Sequence, residues 1–378
     1  MLDSTPYRPL FPLAGEYIHL NHAGVSPVNT RALAAMQAFN EQTAHVPFTE
    51  LLPTAEAAVR DLRERLAALI NARSADEIVL MPNTAAGINT AALSLPLRPG
   101  DNVLLLDGDY PANIYPWMNL ARRGVLAKLV PAKDGGLDLD LLAARIDPRT
   151  RAIALSTVQF ASGFRNDLEA VGRLCRERGL YFVVDCIQSL GALPFDVQAV
   201  GADFVACGSQ KWLLGPVGAG FLYVRRERLP ELAPGPYVGA FSVVEPRNFL
   251  DYNFTLLPTA ERFTIGSQNY VGMIGLRASV ALIQEIGPAR IGERVLALAE
   301  LAASELAARG FRLAGSPDPA RRSGIVIAAV EQPAAAEQRL REARVVAVAR
   351  GSGIRFAPHF YNTEDEIRRA AAILAEAS

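Results

Sequence analysis

The sequence predicts an α/β fold, with a mostly parallel sheet in a large domain and a smaller α+β domain. Two observations predict it. Short apolar runs of strand length alternate with helix-period segments from Glu77 to Val224, and two of those runs end beside a polar group with a chemical use. Tyr181–Val184 is aromatic and β-branched, as expected of a strand buried on both faces, and Asp185 ends it. Asp203–Ala206 is the next such run, and Lys211 follows in a glycine-flanked loop after a separation that suits one crossover. Ligands of open α/β sheets bind outside the carboxyl ends of the strands, so the acid and the amine read as parts of one ligand site.

A chain of 378 residues accommodates both domains, and we place the large one at 16–282 and the small one at 1–15 with 283–378. With 38 basic against 39 acidic residues and no basic stripe, neither nucleic acid nor a membrane surface is indicated as a partner. The first residues lack a basic, apolar leader pattern, and no apolar run approaches ~18 residues, so a cytoplasmic protein is expected. Cys175, Cys186 and Cys207 are widely spaced in apolar or helical contexts, and read as small buried hydrophobes; no metal site is expected.

Only three lysines occur, Lys128, Lys133 and Lys211. Where a bare positive charge would serve, this chain uses arginine, which cannot lose its proton or form a Schiff base. Lys128 and Lys133 flank a turn and read as solvated charges. Lys211 lies between Cys207-Gly208 and Trp212-Leu213-Leu214, a setting that should desolvate an amine and lower its pKa.

Taken in order, Tyr17–Leu20 is a short strand followed by the loop Asn21 to Pro27. Thr30–Thr43 and Ala55–Asn71 carry helix-spaced apolar residues. Glu77–Met81 is a strand, and Asn83 or Thr84 caps the helix after it, leaving first-turn N–H groups of the kind that bind phosphate. Asn102–Leu106, Leu126–Val130 and Ala152–Ser156 continue the strands, with helices near Leu137–Arg145 and Leu168–Arg178. Phe221–Val224 follows Lys211 too soon for a helical crossover, so it is expected antiparallel. Val271–Glu285 and Ala289–Arg309 are helices leading into the small domain, where Gly324–Val330 and Arg344–Ala349 read as strands and Glu364–Glu376 as a closing helix.

Asp185-Cys-Ile-Gln188 followed by GSQKWLLGPVGAGFLYV resembles the class V aminotransferases, fold-type I pyridoxal-phosphate enzymes, and the similarity runs from about residue 17 to the C-terminus. The resemblance implies pyridoxal 5'-phosphate as cofactor, Lys211 as its Schiff-base lysine and Cα-proton base, Asp185 as the partner of the pyridine nitrogen, and Gln188 as a donor to the ring's phenolic oxygen. It assigns the phosphate to Thr84, Ala85, Ala86, Ser209 and Gln210, and Tyr110 to the face of the ring, where simple loop packing is the alternative. Gly266 and Ser267 match a segment that reaches a neighbouring protomer's phosphate, which implies a homodimer with shared active sites. Arg355, in RGSGIRFAPHFYN, matches the arginine that grips the substrate carboxylate. Gln159 lies beside substrate by the same resemblance, and His22 either contacts substrate or is an ordinary loop histidine.

Three departures narrow the reading. Ala85 stands where a threonine is common, Gln210 replaces a histidine of many relatives, and Val345–Arg355 has no cysteine where desulfurases carry their persulfide nucleophile. The expected function is therefore transamination or other Cα/Cβ chemistry on an α-amino acid, with C–S lyase or epimerase chemistry of the same family as the alternative. Outside the family, a nucleotide-binding α/β protein is weakened by the lack of G-x-G-x-x-G after the first strand, and a scaffold that binds cofactor without turnover is a third possibility.

Overall fold

The computed structural model describes residues 2–248, 250–316 and 318–376. In chain order its first part comprises β1 (Ile18–His19), α1 (Thr30–His45), α2 (Phe48–Leu69), β2 (Ile78–Met81), α3 (Thr84–Ser94), β3 (Asn102–Leu106), α4 (Tyr115–Met118) and β4 (Leu126–Val130). Next come α5 (Leu139–Arg145), β5 (Thr150–Ser156), α6 (Leu168–Arg178), β6 (Tyr181–Asp185), α7 (Val197–Val200), β7 (Phe204–Gly208) and β8 (Gly220–Val224). The seven strands β2 to β8 form one sheet in the order β2-β8-β7-β6-β5-β3-β4. Only the pairings of β8 are antiparallel, as the short link after Lys211 requires.

Strand residues with period 2 divide between two cores, one on each face of the sheet. Phe182 and Val184 join Leu104, Ile153 and Leu155 on one face. Val183 joins Val103, Leu105 and Ala154 on the other. That double burial explains why these strands read as continuous apolar runs. Helix α3 seats close to β7 because Gly87 has no side chain; a Cβ there would lie 2.9 Å from the Ala206 Cβ. Helix α2 starts at Phe48, seven residues before the expected Ala55, and carries Pro53 inside it. Its buried residues Leu51, Ala55, Val59 and Leu62 keep one apolar face through the proline, so packing overrides the local breaker.

The rest of the chain contributes α8 (Tyr270–Ile286), α9 (Pro288–Ala308), β9 (Val326–Ala329), α10 (Pro333–Glu342), β10 (Val345–Val346), β11 (Val348–Arg350), β12 (Gly353–Phe356) and α11 (Glu364–Glu376). Helix α8 packs on α1 and α2, whereas α9 packs on α11 and β9. β11-β12-β9 is an antiparallel sheet, and β1 pairs in parallel with β10. Ile18 and Leu20 belong to the core of this C-terminal part, with Leu298, Ile354, Phe356 and Ile367. β1 therefore lies with the C-terminal strands although the sequence boundary at residue 16 put it in the large domain. Leu2 and Phe11 join the first core, and Phe11 stacks on Tyr361 at 3.9 Å. Residues 1, 377 and 378, inside the expected small-domain bounds, lie outside the described residues. Strand β12 and helix α10 were not read from the sequence; of the loop-like Gly351-Ser352-Gly353 stretch, Gly351 and Ser352 form the hairpin turn and Gly353 opens β12. Among the described residues no helix is long and apolar enough to cross a membrane.

The turn after Gln188 is the tightest constraint on the Lys211 loop. Gly191 has φ +99°, and a Cβ added there would lie 2.1 Å from the Trp212 carbonyl oxygen. Gly191→Ala therefore meets both backbone strain and a clash with a backbone atom. It should destabilise the protein by about 1–3 kcal/mol, read as a lowered Tm in a thermal melt; an unchanged Tm would contradict this packing.

Candidate active site

The carboxyl ends of β2, β3, β5, β6 and β7 share one edge of the sheet. The chain order reverses between β3 and β5, since β4 lies on the far side of β3. A crevice at such a switch point is the expected ligand site, and Asp185, Gln188, Ser209, Gln210 and Lys211 stand at or just after the carboxyl ends of β6 and β7, with Thr84 just after that of β2.

Asp185 ends β6 and is 1% exposed. Its Oδ1 accepts the Ile187 N–H at 2.8 Å, while Oδ2 is buried with no hydrogen-bond partner among the described residues. Burial pushes this carboxyl above the ordinary carboxylate range. The Ile187 N–H opposes the rise, Asp109 adds to it, and Lys211 opposes it. Lys211 is shifted the other way, chiefly by burial, with Asp185 opposing and Arg355 and Arg350 adding to the lowering. The Lys211 Nζ lies 5.3 Å from the centroid of the Tyr110 ring. That ring meets Phe160 edge-on at 5.2 Å. Lys128 and Lys133 are engaged elsewhere, in ion pairs with Asp147 and Asp138 at 2.5 and 2.7 Å.

Gln188 is buried and fixed at both ends: Nε2 donates to the Ala23 carbonyl at 3.1 Å, and Oε1 accepts the Trp212 Nε1–H at 3.1 Å. Asn83 caps α3 by accepting the Ala86 N–H at 2.9 Å. That bond engages one of the amides expected to hold phosphate and leaves those of Thr84 and Ala85 ahead of it. The Thr84 hydroxyl accepts the Gly208 N–H at 2.8 Å, joining the start of α3 to the end of β7. Ser209 donates to the Pro216 carbonyl at 2.5 Å, and the Gln210 Oε1 is buried without a partner among the described residues. Gly266 and Ser267 line a cavity of about 670 Å³ with Pro82, Ala86, Asn89 and Tyr237.

Arg355 sits inside β12 rather than in a loop, and is 1% exposed. Its guanidinium donates to the Phe160 carbonyl at 3.3 Å and to the Asn21 Oδ1 at 3.2 Å, and its Nε is unpartnered among the described residues. No acidic side chain pairs with it among the described residues. Burial, then the nearby Arg350, pushes its pKa down to about 9. A buried charge without a counter-charge is unfavourable by several kcal/mol, so this site is arranged to receive an anion. Gln159, the residue before the Phe160 whose carbonyl Arg355 bonds, is buried, with Nε2 unpartnered among the described residues.

His22 is fully buried in a knot of rings. Its Nδ1 bonds the Ser26 hydroxyl at 2.7 Å, and its ring lies 4.8 Å from His19 and 5.1 Å from His359. Its neighbour Asn21, not singled out from the sequence, is the one that reaches Arg355. Asp109 was also passed over. It is buried and binds the Ser156 hydroxyl and amide, the Tyr110 amide and the Asn113 side chain, fixing the Tyr110 loop to the end of β5. The signal was available, since Asp109 follows β3 as Asp185 ends β6. Cys175, Cys186 and Cys207 are all buried and free, as expected, and among the described residues no cluster could hold a metal ion.

This donor set fits pyridoxal phosphate: an orphaned carboxylate oxygen for a protonated ring nitrogen, a desolvated amine, an aromatic face and a helix start. Comparison with known proteins agrees. Residues 18–369 match the family described as Aminotransferase class-V. A probable cysteine desulfurase of Methanothermobacter thermautotrophicus is 30% identical over 97% of this chain and 96% of its own length. Among solved structures, a C-DES mutant with glycine covalently linked to its PLP cofactor superposes with a TM-score of 0.90 at 26% identity, covering 98% of this chain and 99% of that one. The complex of the cystine C–S lyase C-DES with its reaction product cysteine persulfide gives 0.88 at 26% identity, over 97% of this chain and 99% of that one. The chain belongs to the aminotransferase class-V family.

Proposed function

We propose that this protein is a pyridoxal-phosphate-dependent transferase or lyase whose substrate is an α-amino acid, with Lys211 joined to the cofactor and Arg355 holding the substrate carboxylate. One observation carries the reading: a desolvated amine feels the charge of both a buried carboxyl and a buried guanidinium, neither of which has an ion-pair partner among the described residues. When bound, pyridoxal phosphate supplies an electron sink that acidifies the Cα–H of an attached amino acid.

The residues of this chain do the rest. Asp185 offers Oδ2 to hold a proton on the pyridine nitrogen. Gln188, already fixed by Ala23 and Trp212, has one amide hydrogen left for the phenolic oxygen. Thr84 and Ala85 present amides at the start of α3, where the helix end favours the phosphate, and Ser209 and Gln210 lie on the same side. Tyr110 covers the ring face, an orienting contact worth about 1 kcal/mol. Lys211 moves the Cα proton, because burial keeps its amine free at a pH where an ordinary lysine is charged. Arg355 presents a planar fork to the carboxylate, with Gln159 beside it.

A homodimer in the cytoplasm belongs to the same proposal, with Gly266 and Ser267 of one protomer completing the phosphate site of its partner. The exposed apolar side chains of Ile265, Tyr237, Leu250, Tyr252 and Phe254 near this segment support the dimer. A C–S lyase is the second reading. The names of the relatives favour sulfur chemistry, and the buried cysteines together with a Val345–Arg355 hairpin lacking cysteine favour elimination over transfer to an enzyme thiol.

Two outcomes follow. Lys211 should react with the cofactor's aldehyde in its neutral form, so capture of pyridoxal phosphate by cofactor-free protein should be fast well below the ordinary lysine pKa of 10.5. Stopped-flow absorbance across pH measures this; a rate that rises only near pH 10 would contradict it. Arg355→Lys should weaken amino-acid binding at least tenfold, about 1.4 kcal/mol, and leave the cofactor's visible absorbance intact. Wild-type affinity in that variant would remove the carboxylate assignment.

A further inference from the structure

The hairpin that carries Arg355 carries a second arginine. β11 and β12 are antiparallel, with Val348 opposite Arg355 and Arg350 opposite Gly353. Side chains two apart on a strand share a face, as do cross-strand partners, so Arg350 and Arg355 project from the same face of the hairpin. They are diagonal neighbours, a placement with backbones about 7–8 Å apart that long side chains span easily. Gly353, opposite Arg350, is held to glycine by β9, since a Cβ there would lie 2.4 Å from the Ala328 carbonyl oxygen. The residue facing Arg350 across the hairpin therefore carries no side chain, and the Ile327 Cγ2 lies 2.9 Å from where its Cβ would be.

This face looks onto the reacting groups. Arg355 bonds the Phe160 carbonyl, the Phe160 ring meets Tyr110, and Lys211 lies over Tyr110. Arg350 is exposed, and its guanidinium turns back to the carbonyl of Ala349 at 2.9 Å. No acidic side chain pairs with it among the described residues, a state it shares with exposed Arg122 and Arg123, which bond Asn119 and the Leu93 carbonyl; what sets Arg350 apart is its place beside Arg355 on the hairpin. The positive charge of Arg350 is felt at both Arg355 and Lys211. An exposed arginine is often no more than a solvated charge. Here it repels a buried guanidinium that already lacks a counter-ion, and a single α-carboxylate neutralises only one of the two. The amides suited to the cofactor's phosphate stand elsewhere, at the start of α3.

We propose that Arg350 and Arg355 form a paired site for an amino acid carrying a second carboxylate at the far end of its side chain, Arg355 taking the α-carboxylate and Arg350 the distal one. The proposal rests on the reading of Arg355 given above. Specificity then comes from charge spacing along one hairpin: a substrate with a neutral far end leaves Arg350 in water and gains nothing from it.

Cofactor-loaded protein is titrated with L-glutamate and with L-glutamine, which differ only in distal charge, and binding is followed by the cofactor's visible absorbance. Wild type should prefer glutamate by about tenfold. Arg350→Gln, a change at an exposed side chain, should abolish that preference, and Arg355→Lys should weaken both ligands alike. Equal affinities in wild type, or a preference that survives Arg350→Gln, overturns the proposal. So does loss of the dimer in Arg350→Gln with the preference intact, which would place Arg350 in an intersubunit ion pair. If neither amino acid perturbs the absorbance, the amino-acid reading fails, and cofactor-free protein then decides the pair separately by thermal shift. Glutarate raising the Tm more than butyrate in wild type but not in Arg350→Gln supports the paired site; equal shifts in wild type overturn it.

Discussion

Two buried ionisable groups without an ion-pair partner among the described residues, the Asp185 carboxyl and the Arg355 guanidinium, set the physics of this protein. Each is 1% exposed, and among the described residues each makes hydrogen bonds only to uncharged groups. Such groups are unfavourable in an empty site, and a fold retains them when a ligand supplies the missing charge. Lys211 stands in the field of both, so its amine is poised by the same arrangement. The parallel sheet brings the carboxyl ends of β6 and β7 side by side, and β12 carries the guanidinium in from the C-terminal part of the chain.

Much of this was legible in the sequence because strand-end polar residues interrupt apolar runs in a way that burial alone does not explain. Asp185 and Lys211 were visible on that ground, and the antiparallel β8 on the ground of a link too short to cross over. What escaped had a shared cause: tertiary packing overrode a local signal. Pro53 looks like a helix boundary, yet α2 continues through it because its apolar face is already buried. Gly351-Ser352-Gly353 looks like a loop, yet its last residue opens β12, where the close approach of β9 requires glycine. Asn21 and His22 are neighbours in one loop, and only the completed fold decides that Asn21 faces Arg355 while His22 turns into the histidine cluster. Asp109 follows a strand as Asp185 ends one and went unread, although its four hydrogen bonds fix the Tyr110 loop.

The cysteines bear on the chemistry. Burial raises all three thiols, well above the ordinary range for Cys186 and Cys207. Thiols held neutral are poor nucleophiles. The Val345–Arg355 stretch is free of cysteine, so the three thiols of this chain are the buried ones.

The central claim is that Lys211, alone among three lysines, is the group that joins the cofactor. Protein reconstituted with pyridoxal phosphate, reduced with borohydride and digested should give one pyridoxyl-modified peptide, containing Lys211, and Lys211→Ala should give none. A modified peptide carrying Lys128 or Lys133, or modification that persists in Lys211→Ala, would contradict the account.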